Sequence, residues 1–223
     1  MVLTTSVVAF VQTGVMAAMT RDTMAVQRGE WWRIVTPTLV QPSGALALAF
    51  LLIGFVVLIP VVARQTGNRT AAAAMVVGAV GALAISSWLF PAQTGGGSSG
   101  AVAALVGAWA CCLTRNATRD LRARFASTYS GFFATYLLAA ATPFATVAPL
   151  IGNLGAVAAY AVHRSGRPRI VAVGILACGV AMTALLDEHG FGLLLGAAMG
   201  VWSSTGECRA LLVGANVERE RLP

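Results

Sequence analysis

The sequence predicts an all-α fold, a polytopic bundle of about eight transmembrane helices that forms one domain over residues 1–223. Two observations predict this fold. Hydrophobic residues make up 57% of the chain and charged residues only 10%, which is far from the balance of a soluble domain. The hydrophobic residues also form runs of about the length that crosses a bilayer. We therefore expect a multi-pass protein of the cell membrane, in contact with the lipid bilayer.

Eight apolar runs are the candidate spans. In order along the chain they cover residues 3–19, 44–63, 71–90, 100–114, 126–143, 150–162, 170–186 and 190–206. The first run lacks the basic start and the cleavage site of a signal peptide, so we expect it to be a span.

The arginines predict the orientation of the bundle. All fifteen basic residues are arginine, and alternate connectors carry very different numbers of them. One side holds the arginines at positions 64, 69, 115, 119, 122, 124, 164, 167, 169, 209, 219 and 221, and the other holds those at 21, 28 and 33. Because cytoplasmic connectors are enriched in basic residues, both termini are expected in the cytoplasm. Arginines scattered over short connectors do not indicate nucleic-acid binding.

A glycine-rich loop leads into the fourth run, in the stretch TGGGSSGAVAALVGAWA at 94–110. Uncharged, irregular backbone at membrane depth is tolerated only where it is buried in protein or lines a wet cavity. Ser99 would begin a helix whose free N–H groups could stabilise an oxyanion, with Gly97, Ser98 and Gly100 as backbone support. The alternative is that Ser98 or Ser99 has only a structural role, as the N-cap of the helix.

The last run begins with a histidine and a ladder of glycines, HGFGLLLGAAMG at 189–200. The ladder comprises Gly192, Gly196 and Gly200, and the helix after Ser99 offers a matching small face at Gly100, Ala103, Ala104 and Gly107. Small residues at intervals of four allow two helices to approach closely. We expect these two helices to be neighbours, which would bring Ser99 and His189 together as a Ser–His dyad.

These motifs resemble those of the rhomboid intramembrane serine proteases. The resemblance rests on GEWWRIVTP at 29–37, GSSGAVAALVGA at 97–108 and HGFGLLLG at 189–196. It implies a six-span core, to which this chain would add one helical hairpin, because 90 positions separate Ser99 from His189. It also implies Ser99 as the nucleophile, His189 as the base, and Trp32 and Arg33 as structural elements of the first connector. Because Trp and Arg favour the membrane interface in general, Trp31, Trp32 and Arg33 could instead be an interfacial anchor. The substrates would be membrane-spanning proteins cleaved near the outer face, with no cofactor and no metal.

The second predicted span, residues 44–63, leaves open whether the protein is catalytically active. In the rhomboid family this span normally carries a His and an Asn that help to hold the oxyanion, and the corresponding stretch QPSGALALAFLLIG contains neither. Losing one such donor can reduce the rate on the order of 100-fold or more. The alternative is therefore a catalytically inactive rhomboid-like protein that binds membrane helices or partner proteins.

Other polar residues also admit two interpretations. A shorter interval after Ser99 would put Asn153 at the position of the base, but Asn cannot accept the proton. The bulky Tyr160 would then stand seven residues after the base, where His189 is followed by a glycine. His189 is therefore favoured as the base. Asp187 and Glu188 could orient His189 or could form a plain acidic turn. His163, in HRSGRPR, is expected in a solvated turn.

Overall fold

The structure, a computed structural model, describes residues 13–41, 43–90, 94–115 and 120–219, with only the backbone of Thr13, Thr94, Gly95 and residues 204–219. The α-helices of these residues are α1 Thr13–Met19, α2 Thr23–Gln27, α3 Ala45–Thr66, α4 Asn68–Leu89, α5 Ser99–Arg115, α6 Leu121–Ala140, α7 Ala148–Arg164, α8 Pro168–Ala184 and α9 Glu188–Arg219. Short 3₁₀ helices cover Trp31–Ile34, Thr36–Leu39 and Ala145–Val147. Two-residue strands, β1 Arg21–Asp22 and β2 Thr94–Gly95, pair antiparallel.

The all-helical class is confirmed over the described residues, with the β1–β2 pairing as a small addition. The last seven apolar runs each coincide with a helix, although α9 continues beyond the predicted end at 206 to Arg219. Most of the first run lies outside the described residues, and α1 is its end. Among the described residues, three helical segments are long and apolar enough to cross a membrane: Ala45–Thr66, Asn68–Leu89 and Ala145–Arg164. The apolar helices α5 and α8 are shorter, at 17 residues each.

Local signals explain where several helices begin and end. Gly67 separates α3 from α4 with φ = 84°, a left-handed conformation that glycine adopts without steric cost. The carboxylate of Asp120 accepts a hydrogen bond of 2.7 Å from the N–H of Ala123 and so caps α6. Pro168 stands in the first turn of α8, where a missing N–H costs nothing.

Helix α5 lies at the centre of the bundle. Its residues from Ala101 to Leu113 are all buried, and it contacts α3, α4, α8 and α9. The contact with α9 is so close that a Cβ at Gly196 would collide with the backbone of Ala104, and one at Gly107 would collide with Leu193 O. The predicted packing of these two small faces is therefore confirmed.

Helices α6 and α7 form a hairpin that packs mainly on itself. Gly131 of α6 contacts Gly155 and Ala159 of α7, again without room for a Cβ. A polar chain joins this hairpin to α5, because Trp109 Nε1 donates to Ser127 Oγ at 3.3 Å, and Ser127 Oγ lies 2.7 Å from His163 Nδ1. His163 is only 1% exposed, so the expected solvated turn is wrong at this residue.

Candidate active site

Ser99 and His189 are in direct contact. Ser99 is the first residue of α5, His189 is the second residue of α9, and Ser99 Oγ lies 2.9 Å from His189 Nε2. The close packing of α5 on α9 creates this contact, since Gly192, one turn after His189, lies against Gly100, the residue after Ser99. Both side chains are partly buried. The distance is that of a nucleophile and its general base.

Asp187 is the third member of the arrangement. Its Oδ1 lies 2.7 Å from His189 Nδ1 and also accepts a hydrogen bond of 2.8 Å from the backbone N–H of His189. Because an ionised carboxylate can only accept, Nδ1 carries the proton and Nε2 is left as the acceptor for the Ser99 hydroxyl. Of the two interpretations of Asp187 left open by the sequence, the geometry therefore agrees with the orienting one.

A tight turn between α8 and α9 places Asp187. The N–H of Leu186 donates to Thr183 O at 3.0 Å and the N–H of Asp187 donates to Met182 O at 2.9 Å, a Schellman-type end of α8. Leu186 takes the left-handed position of this motif with φ = 64°. A residue with a Cβ adopts that conformation at a cost of about 1–2 kcal/mol, and glycine is usual there. The turn thus brings Asp187 to the start of α9 through a strained residue.

The charges around His189 set its proton affinity. His189 precedes the apolar segment 190–206, and its side chain is 17% exposed. Burial lowers the pKa of His189, but the hydrogen bond to Asp187 and the negative charges of Asp187 and Glu188 outweigh burial, so that this pKa lies above its ordinary value. Burial raises the pKa of Asp187, and the hydrogen bond and charge of His189 reverse that effect and leave it lowered. Asp187 therefore remains an ionised acceptor.

The loop before Ser99 packs against the first connector. Gly97 is buried with φ = 147°, and a Cβ there would lie 2.5 Å from Oε1 of Gln41, whose side chain is also buried. Only glycine fits this combination of backbone angle and close contact. Ser98 is buried, its Oγ has no hydrogen-bond partner among the described residues, and its carbonyl accepts from Ala101 N–H. Ser98 therefore does not cap α5 through its side chain.

The start of α5 offers backbone donors beside the Ser99 hydroxyl. The first N–H groups of a helix have no intrahelical acceptor, and those of Ser99 and Gly100 occupy this position in α5. The positive end of the helix dipole lies at the same place. An anion formed next to Ser99 Oγ would be stabilised by both effects.

The first connector is fixed by Arg33. Its Nη1 donates to Ala17 O at 2.8 Å and to Thr20 O at 3.1 Å, and its Nε lies 2.6 Å from Glu30 Oε2. Arg33 thus joins the connector to the end of α1. Trp31 and Trp32 are 64% and 54% exposed, as expected of side chains that anchor a protein at a membrane interface.

Comparison of the chain with protein-family models, with curated proteins and with solved structures finds no match. The resemblance to the rhomboid family therefore depends on the three sequence motifs, and the chemistry depends on the geometry of the site. In the described part of the chain, no cluster of three or more His, Cys, Asp or Glu side chains is suited to hold a metal ion.

The structure separates Asn153 from the Ser99 site. Asn153 lies on α7, where its Nδ2 donates to Pro149 O of the same helix at 2.9 Å and its side chain is exposed. Another neighbour of the site, Arg21, was not expected from the sequence; its Nη1 is 2.6 Å from Glu188 Oε2. A buried arginine can be inferred from sequence only when its partner is known, and this partner is distant in the chain.

Proposed function

We propose that the chain is a rhomboid-like intramembrane serine protease that hydrolyses peptide bonds of membrane-spanning proteins near the outer membrane face. The observation that carries the proposal is the contact of 2.9 Å between Ser99 Oγ and His189 Nε2, with Asp187 on the other imidazole nitrogen. A serine hydroxyl, a base and an orienting carboxylate form the arrangement that acyl-transfer enzymes use.

The reaction follows from the positions of these groups. Ser99 Oγ attacks the carbonyl carbon of the scissile bond while its proton moves to His189 Nε2, and Asp187 stabilises the imidazolium that forms. The oxyanion would develop beside the N–H groups of Ser99 and Gly100. His189 then gives its proton to the leaving amine as the C–N bond breaks, and water hydrolyses the acyl-enzyme with His189 again as the base.

The proposed topology has eight spans, with both termini in the cytoplasm and Ser99 on the outer side. It is supported by the arginines at the end of α5 remote from Ser99. Arg115 Nη1 donates to Gly200 O at 3.3 Å, and Arg169 Nε donates to Thr114 O at 3.1 Å. These arginines belong to the arginine-rich connectors, which are expected in the cytoplasm.

A catalytically inactive rhomboid-like protein that binds membrane helices is the second candidate. It is favoured by the absence of His and Asn from residues 41–54, where the family normally has its side-chain oxyanion donors. In this chain the backbone at the start of α5 would have to stabilise the oxyanion alone.

Labelling with a fluorophosphonate probe tests the proposal without a known substrate. Purified wild-type protein in detergent should label, and Ser99→Ala and His189→Ala should each abolish labelling, because the two residues act as a unit. Ser98→Ala and Asn153→Ala are matched controls that should retain most of it. Absence of labelling in folded wild-type protein would establish the inactive candidate instead.

A further inference from the structure

Arg21 contacts three parts of the bundle that meet at the candidate active site. Through its main chain it pairs with Gly95, four residues before Ser99. Through its side chain it donates to Ser86 Oγ near the end of α4, and its Nη1 lies 2.6 Å from Glu188 Oε2, in the residue before His189. Only 3% of the Arg21 side chain is exposed.

We propose that Arg21 is a positioning residue that holds the start of α5 and the start of α9 together, and so sets the contact between Ser99 and His189. The effect on catalysis rests on the proposed protease function. The contacts themselves do not, because they connect the two helix starts whether or not the site reacts.

The burial of the pair distinguishes it from an ordinary surface ion pair. Exposed ion pairs contribute little, because water and salt screen them. The side chains of Arg21 and Glu188 are only 3% and 18% exposed, so removal of one partner leaves the other charge in a poorly solvated place. Both contacts are made by one nitrogen of the guanidinium, Nη1, which lies next to Ser86 Oγ and Glu188 Oε2. Lysine at this position would retain the charge and lose the planar, more weakly hydrated guanidinium.

The ion pair also acts on His189 through charge. Three charged groups influence His189: Asp187 and Glu188 raise its pKa, and Arg21 lowers it. Removing the positive charge of Arg21 should therefore raise the pKa of His189 further, whereas removing the negative charge of Glu188 should lower it. A residue that only stabilised the fold would not produce opposite shifts in these two variants.

The chain has two histidines, so the titration of His189 can be followed directly. The experiment compares wild type, Arg21→Gln, Arg21→Lys, Glu188→Gln and the double variant Arg21→Gln/Glu188→Gln by NMR of labelled histidine, with His189→Ala to assign the signals. Arg28→Gln is the matched control, since Arg28 is an exposed arginine of the same connector. Fluorophosphonate labelling is measured on the same samples as the rate per folded molecule.

We expect Arg21→Gln to raise the pKa of His189 and to reduce labelling at least 10-fold, and Glu188→Gln to lower that pKa. The double variant should return the pKa towards wild type and still label slowly, because the bridge is lost. Arg21→Lys should keep the pKa near wild type and label more slowly than wild type.

Two outcomes overturn the inference: an unchanged His189 pKa in both single variants, or a wild-type labelling rate per folded molecule in Arg21→Gln. Failure of the proposed function is a different result. In that case the wild type does not label, and opposite pKa shifts in the two single variants still support Arg21 as the residue that positions the start of α9.

Discussion

Replacement of Gly196 by alanine tests the contact on which the site depends. A Cβ at Gly196 would lie 1.9 Å from the carbonyl oxygen of Ala104 and 2.5 Å from its Cα, and relaxed carbon contacts are about 3.5–4.0 Å, so α9 must move from α5 by at least about 1 Å. Such overpacking costs about 1–3 kcal/mol. Alanine also gains about 0.5–1 kcal/mol over glycine inside a helix, which partly offsets this cost.

The matched control is Gly174→Ala on α8, because nothing lies within 4 Å of a Cβ at Gly174. The gain in helix propensity is common to both variants, so the difference between them isolates the packing cost of about 1–3 kcal/mol. In a chain of this size each kcal/mol corresponds to about 2–4 °C in the unfolding temperature. Thermal unfolding in detergent measures this difference directly.

Labelling should respond more strongly than stability. A displacement of about 1 Å between reacting groups can cost about 100-fold in rate, so folded Gly196→Ala should label far more slowly than folded Gly174→Ala. Equal unfolding temperatures for the two variants, together with equal labelling rates, would contradict the close contact between α5 and α9.

Four further tests probe the orienting carboxylate, the base, the turn before α9 and the buried polar chain. Asp187→Asn should reduce labelling on the order of 10³–10⁴-fold, because an amide can donate to Nδ1 and favour the wrong tautomer. The pKa of His189 lies above the ordinary histidine value of about 6.5, and only neutral His189 can accept the proton of Ser99. The labelling rate of wild type should therefore fall as the pH is lowered through this raised pKa, and labelling rates measured as a function of pH check this. Leu186→Gly should raise the free energy of unfolding by up to about 1 kcal/mol by relieving the left-handed leucine, whereas Leu185→Gly, at φ = −83°, should lower it. Ser127→Ala should cost about 1–3 kcal/mol, and Ser165→Ala, at an exposed serine, less than about 0.5 kcal/mol, both by thermal unfolding.

The sequence predicted the helices and the Ser99–His189 pair because both depend on repeating patterns. Apolar runs between charged connectors mark helices, and small residues at intervals of four mark the faces of α5 and α9 that meet. The last apolar run ends at 206, whereas α9 continues to Arg219 into a more polar segment, which a search for apolar runs does not follow.

Features that depend on single distant contacts could not be predicted. The turn that orients Asp187 has leucine where glycine would have indicated a left-handed position, so the sequence contains no signal for it. Arg21 and Glu188 are far apart in the chain, and neither belongs to a pattern. His163 did have a signal that the neighbouring arginines obscured, because it follows Gly152 and Ala159 on the buried face of α7.

Under the proposed eight-span topology, the polar chain from Trp109 through Ser127 to His163 would have a consequence for assembly of the protein in a bilayer. A helical hairpin such as α6 and α7 can enter the membrane as one unit, and lipid tails then compete with apolar helix faces for its surface. Apolar contacts alone would leave the inserted hairpin free to rotate or slide along its neighbours. The hydrogen bond from the indole N–H of Trp109 to the hydroxyl of Ser127 is directional, so it would favour the observed position of the hairpin against α5 over positions that lack it.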